Sequence, residues 1–98
     1  MWNTYENGNS IGTTGSENGT IIFDEEYPGK ARITVEECNR YHAITIGLSG
    51  AMFHTVFCNK DEYQTIVSDM KSDIEVFYCK KRSLSEETDF CDYFYMKY

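Results

Sequence analysis

With 98 residues, 41% of them hydrophobic and 15% aromatic, the chain has the mass for one domain with a modest core and too little for two. Its formal charge of −7 has the wrong sign for a phosphate-backbone binder, because affinity for DNA or RNA comes largely from Lys and Arg that release counterions. No apolar run approaches the roughly 20 residues that cross a bilayer, and Met1-Trp2-Asn3-Thr4 lacks the basic and apolar regions of a signal peptide, so the cytoplasm is the expected compartment and neither nucleic acid nor membrane an expected partner.

From Met1 to Gly19, thirteen of nineteen residues are Asn, Gly, Ser or Thr, a mixture that favours turns over packed elements. This segment is expected to be a flexible arm, with Trp2, Tyr5 and Ile11 as the residues able to dock. Thr20 to Tyr27 then reads as a strand, Pro28-Gly29-Lys30 as a turn in which proline presets φ, and Ala31 to Glu36 as a second strand. Its alternation sends Ile33 and Val35 inward and leaves Arg32, Thr34 and Glu36 facing water.

Tyr41 to Leu48 and Ala51 to Cys58 read as the next two strands. With Ser49-Gly50 as a two-residue loop, Ile46 pairs with Phe53, Ile44 with Thr55 and His42 with Phe57, which gathers Ile44, Ile46, Leu48, Phe53 and Phe57 on one face. The same letters, Gly47 to Ala51, spell G-x-S-x-A, a degenerate nucleophile elbow. An elbow needs a helix after its turn, whereas Ala51 to Phe57 continues as strand, so Ser49 is a turn residue. Cys38-x3-His42 and His54-x3-Cys58 hold two Cys and two His, as zinc would want. In the two-residue register the histidines lie on opposite faces; a three-residue loop would reverse that and set His42 opposite Cys58. The two-residue loop unites the apolar face, so neither metal nor cofactor is expected. His54 and Cys58 stand over 12 Å apart at ~3.3 Å per residue, too far to act as a base and nucleophile pair. The four cysteines, Cys38, Cys58, Cys79 and Cys91, contain no C-x-x-C and are expected as free thiols.

Asn59 followed by Glu62 marks a helix start. Tyr63, Ile66, Val67, Met70, Ile74, Phe77 and Tyr78 then recur at helical spacing within an arc of about 120°, predicting a helix from Lys60 to about Cys79. Lys80, Lys81 and Arg82 suit the negative pole of its dipole. Ser83, Ser85, Glu86, Glu87 and Asp89 predict the start of a second helix carrying Phe90, Tyr93 and Phe94. The alternation of Phe94, Met96 and Tyr98 leaves the last five residues open between helix and strand. The predicted fold is α+β: an antiparallel four-stranded β-meander, then one long helix and a shorter C-terminal helix packed on one face, forming a single domain over 20–98 behind the arm 1–19.

The stretches FDEEYPGKARITVEE and AITIGLSGAMFHTVF resemble a family of small bacterial proteins of unassigned function, in which a D-E-x-x-x-x-x-A-R-I-T-x-E strand pair precedes an A-I-T-x-G hairpin ending in M-x-H-T. The resemblance spans Ile21 to about Met70 and implies a bacterial, cytosolic single domain, with no activity attached.

Two functional readings follow from the residues. In the first, the chain is no enzyme but a binding protein of the immunity or neutralising kind, in which Asp24, Glu25 and Glu26 together with Tyr93, Tyr95 and Tyr98 engage a basic protein partner. The first 29 residues carry five acids and no Lys or Arg, and further acids crowd the last helix, which motivates this reading. In the second, a small enzyme or ligand-binding domain uses His54 with Asp24 or Glu26. Homo-oligomerisation stays open.

Overall fold

The computed structural model describes residues 1–49 and 51–98. Five strands form one antiparallel sheet in the order β1-β2-β3-β4-β5, with β1 at Asn3–Thr4, β2 at Thr20–Tyr27, β3 at Ala31–Glu37, β4 at His42–Leu48 and β5 at His54–Cys58. Two helices follow, α1 at Tyr63–Phe77 and α2 at Leu84–Lys97. The fold class is therefore α+β with five strands rather than four. The added strand comes from the arm, where Asn3 and Thr4 pair with Glu26 and Glu25.

The β2–β3 hairpin closes where predicted, the Lys30 N–H donating to the Tyr27 carbonyl at 2.8 Å across Pro28 and Gly29. Ile33, Val35, Ile44, Ile46 and Leu48 project from β3 and β4 onto the helices, where they meet Val67, Met70 and Ile74 of α1 and Phe90 and Phe94 of α2. Burying side chains of this size contributes roughly 1.5–3 kcal/mol each, so this layer dominates stability. The predicted apolar stripe of α1 supplies its buried residues, Val67, Met70 and Ile74.

The start of α1 is later than the expected Lys60. The Glu62 carboxylate accepts from the Asn59 N–H at 2.9 Å, but no side chain caps the first turn in return, and the helix begins at Tyr63. At its other end the Arg82 Nε–H donates to the Phe77 carbonyl at 2.6 Å, a cation meeting an orphan C=O at the negative pole. Ser83 and Glu86 form a reciprocal capping box at the start of α2, each side chain accepting from the other's backbone N–H. The helix runs on to Lys97, so residues 94–97 are helical; their apparent alternation yields to Phe90 and Phe94, which share the buried side of α2.

The β4–β5 register departs from expectation by one residue. Ile46 pairs with His54 rather than Phe53, Ile44 with Val56, and His42 with Cys58. Gly50, half of the predicted two-residue turn, lies outside the described residues. The shift sends His54, Val56 and Cys58 toward the helices, and Phe53 and Phe57 to the opposite, open face. Two packings favour it. On the open face the Phe53 ring lies over Gly47, where a Cβ would stand 2.4 Å from the ring and no side chain competes for the space. On the helix face His54 stacks on Tyr95, ring centroids 5.0 Å apart, and His42 packs on Tyr63 at 4.4 Å.

The open face also differs from the expected solvated surface. Asp24 is 1% exposed and so is Glu36. Residues of the segment 1–19 lie over both, so Glu36 faces protein rather than water, while Arg32 and Thr34 are half-buried. The Gly12 N–H donates to the Ile21 carbonyl, and the Ile21 N–H to Thr13, tying the segment to β2.

Candidate binding surfaces

The six residues expected to meet a partner are dispersed by the pleat of β2 and the turn of α2. In β2, Asp24 points to the open face. Its carboxylate accepts from Arg32 at 2.9 and 2.6 Å, from Ser10 at 2.8 Å and from Thr34 at 3.1 Å. Burial would raise its pKa, but these hydrogen bonds and the Arg32 charge together hold the carboxyl below its ordinary value. The same pairing raises the pKa of Arg32, which also stacks on Tyr5 with its guanidinium carbon 3.6 Å from the ring centre. Glu25 points the other way and pairs with Lys71 of α1. Glu26 is half-buried beside β1. Asp24 and Glu25 are therefore engaged within the chain, on opposite faces.

Glu36, which sequence reasoning left in solvent, has a similar role to Asp24. Its carboxylate accepts from the backbone N–H groups of Glu17 at 2.9 Å and Gly19 at 3.1 Å, and from the Ser16 hydroxyl at 3.5 Å. A Cβ on Gly15 would stand 2.2 Å from its carboxyl carbon, so only glycine lets the segment approach this closely. The signal for this contact was present as a Gly/Ser/Asn-rich stretch able to aim several N–H groups at one anion.

Of the three tyrosines, Tyr95 and Tyr98 turn inward. The Tyr95 hydroxyl donates to the Met52 carbonyl and accepts from the Leu48 N–H at 3.4 Å, joining α2 to the β4–β5 turn. The Tyr98 hydroxyl donates to Asp73 of α1 at 2.7 Å, beside the Lys97 ammonium at 2.8 Å. Burial, reinforced by Asp73, pushes the Tyr98 pKa up to about 12. Tyr93 is 55% exposed. It shares the outer side of α2 with Asp89, Asp92 and Met96, residues at i, i+3, i+4 and i+7 that form one stripe facing away from the core. Met96, which was not among the residues expected to meet a partner, is 88% exposed.

His54 does not meet Asp24 or Glu26. It faces the helices while Asp24 and Glu26 face away, and β3 and β4 intervene, a lateral span of about 14 Å at 4.8 Å per strand. The Nε2 atom of His54 is buried with no hydrogen-bond partner among the described residues. The observed register does place His42 opposite Cys58, whose thiol lies 3.8 Å from the His42 carbonyl oxygen, but His54 is four residues farther along β5. Among the described residues no three His, Cys, Asp or Glu side chains cluster as metal ligands would. Burial, with Glu62 nearby, raises the pKa of the Cys58 thiol, and all four cysteines are free.

A shallow groove of about 190 Å³ crosses the open face between the segment 1–19 and Phe53, floored by Thr34, Thr45 and Gly47 with Arg32 and Glu36 at its sides. Both charged groups are already satisfied internally. Beyond the groove, Phe53 and Phe57 are 73% and 58% exposed on β5 and its approach, and Tyr41 meets Phe57 edge-on at 5.5 Å.

No family model matches the chain, no curated protein is significantly similar to it, and no solved structure matches its fold. The resemblance of Ile21 to Met70 to small bacterial proteins thus rests on the quoted pattern alone. No helix among the described residues is long and apolar enough to cross a membrane.

Proposed function

We propose that this chain is a small acidic bacterial protein that acts in the cytoplasm by binding a basic protein partner, in the manner of an immunity or neutralising protein. The observation that carries the reading is the outward stripe of α2: Tyr93 and Met96, exposed by 55% and 88%, follow Asp89 and Asp92 along one side of a helix whose opposite side is anchored in the core. Aromatic anchors dominate interface energies, and complementary charge sets the rate of approach and the choice of partner. A helix presents such an anchor with its backbone already ordered, which lowers the cost of binding. The net charge of −7 extends the field beyond the stripe. Asp24 and Glu25 have structural partners, so the contact surface centres on α2, with Tyr93 the member of the expected set that reaches solvent most fully.

The test is capture from the native cell on immobilised protein, with mass spectrometry of what co-elutes. One basic protein recovered in stoichiometric amount is expected. Tyr93→Ala together with Asp89→Ser and Asp92→Ser should abolish its recovery while circular dichroism stays unchanged, and association should slow as salt rises past a Debye length of about 10 Å at 0.1 M. Capture indifferent to salt and to all three changes would overturn the reading.

A further inference from the structure

We propose that two copies of this chain associate through the outer edge of β5, antiparallel about a two-fold axis centred on Thr55. The strand ends the sheet, so its outer row of N–H and C=O groups has no strand beside it among the described residues. Edge strands in stable monomers are usually guarded by Lys, Pro, a bulge or a covering segment. From Met52 to Cys58 the chain contains no Lys, Arg, Asp, Glu or Pro, and it exposes Phe53 by 73% and Phe57 by 58%. The opposite edge, β1, is only two residues long and offers little to pair with.

What occupies the β5 edge follows from its symmetry. On the open face the side chains read Phe53, Thr55, Phe57, the same in both directions from Thr55. An antiparallel second copy in that register sets Thr55 against Thr55, Phe53 against Phe57 of the second copy at two places, and His54 against Val56. Aromatic pairs and Thr–Thr pairs are both favourable cross-strand neighbours. The arrangement also extends an existing feature. Thr34 pairs with Thr45 and Thr45 with Thr55, the last two hydroxyls 3.3 Å apart, so a row of threonines already crosses three strands and ends at the edge. The two-fold continues it into the second sheet and brings Tyr41, which packs on Phe57, to the rim of a shared aromatic patch. A basic peptide would find no carboxylate along the seam, whereas a second copy finds a match at each open-face position.

The seam is neutral while each copy carries −7, so salt screens the repulsion between copies and tightens this association. That dependence is opposite in sign to the one expected for a basic partner on α2, and the two proposals fail separately.

Sedimentation equilibrium of the full chain, from about 10 μM to about 1 mM because a short seam gives a modest interface, is expected to show mass rising toward that of a dimer, more steeply at higher salt. Thr55→Lys sets two ammonium groups across the axis and should raise the dissociation constant by at least about tenfold. Thr55 is half-buried, so Phe57→Lys, at a more exposed position, serves as a second variant and is expected to act alike with an unchanged circular dichroism spectrum. A chain monomeric over the whole range at high salt, a dimer that loosens as salt rises, or folded lysine variants that dimerise as the parent does would each overturn the proposal.

Discussion

The two faces of the sheet are built from alternate residues of the same strands, yet they are covered by different physics. On the helix side, Ile33, Val35, Ile44 and Ile46 meet Met70, Ile74 and Phe94, all seven with no measurable exposure. That contact is non-directional and scales with area. On the open side, Asp24 and Glu36 are as deeply buried, and each is held by hydroxyls or N–H groups from the first 19 residues. That contact is directional, and it depends on a few atoms. The lesson is that a segment poor in apolar residues can still lie down on a sheet if the sheet offers it carboxylates to coordinate.

The largest expected effect breaks the helix side. Ile74→Ala removes a fully buried side chain and should cost about 2–5 kcal/mol in chemical denaturation. Val76→Ala, at a position 67% exposed on the same helix, should cost well under half of that. Equal losses would mean that the apolar layer is not what holds α1 in place.

Next in size is the open side. Asp24→Ala leaves Arg32, Ser10 and Thr34 without their acceptor and should cost about 2–3 kcal/mol, below the value for a wholly buried pair because the Arg32 side chain is 36% exposed. The cost should be accompanied by faster hydrogen exchange at the amides of Gly12 and Ile21, which join segment and sheet, while amides of α1 near Met70 keep their protection. The acid limb of the stability curve sharpens the same point. Asp24 and Asp73 have folded pKa values below their ordinary 3.8, so the stability they contribute is complete above that value and is lost as pH falls below it toward the depressed values. Asp24→Ala should flatten that limb, leaving what Asp73 and Glu86, whose pKa is also lowered, contribute; an unchanged slope would show that the Asp24 cluster is not linked to folding.

The smallest effect concerns neither face but the joint between the helices. Ser83→Ala removes one half of the capping box and should cost about 1 kcal/mol, read as a lower denaturation midpoint with an unchanged slope.

The parts of the fold that were legible before the structure are those whose signals lie within a few residues. The period of Val67, Met70 and Ile74 defines the buried side of α1, Ser83 with Glu86 marks the start of α2, and Pro28-Gly29 closes the first hairpin. Each depends on spacings of two to four residues, over which the backbone has few alternatives. The candidate surface was legible only in outline. Acids and tyrosines could be counted along the chain, but whether Tyr93 or Tyr95 reaches solvent turns on which side of α2 meets the sheet, and Phe90 and Phe94 decide that through contacts with β4 and α1.

By itself, then, the sequence determined four of the five strands and both helices, the antiparallel pairing of β2 with β3 and the apolar layer between sheet and helices. Only tertiary structure decided the register of β5, the burial of Asp24 and Glu36, and the course of the first 19 residues. The physical reason is parity and distance. Along 52–58 both sets of alternate residues carry apolar groups, so a slip of one residue exchanges Phe53 and Phe57 for Val56 and Cys58 with little change in local pattern. What breaks the tie is the vacant space over Gly47 and the rings of Tyr95 and Tyr63 waiting on the other face. The acids find their donors 14 residues away for Asp24 with Ser10, and 17 for Glu36 with Gly19, and a hydrogen bond at that separation leaves no periodic trace in the chain.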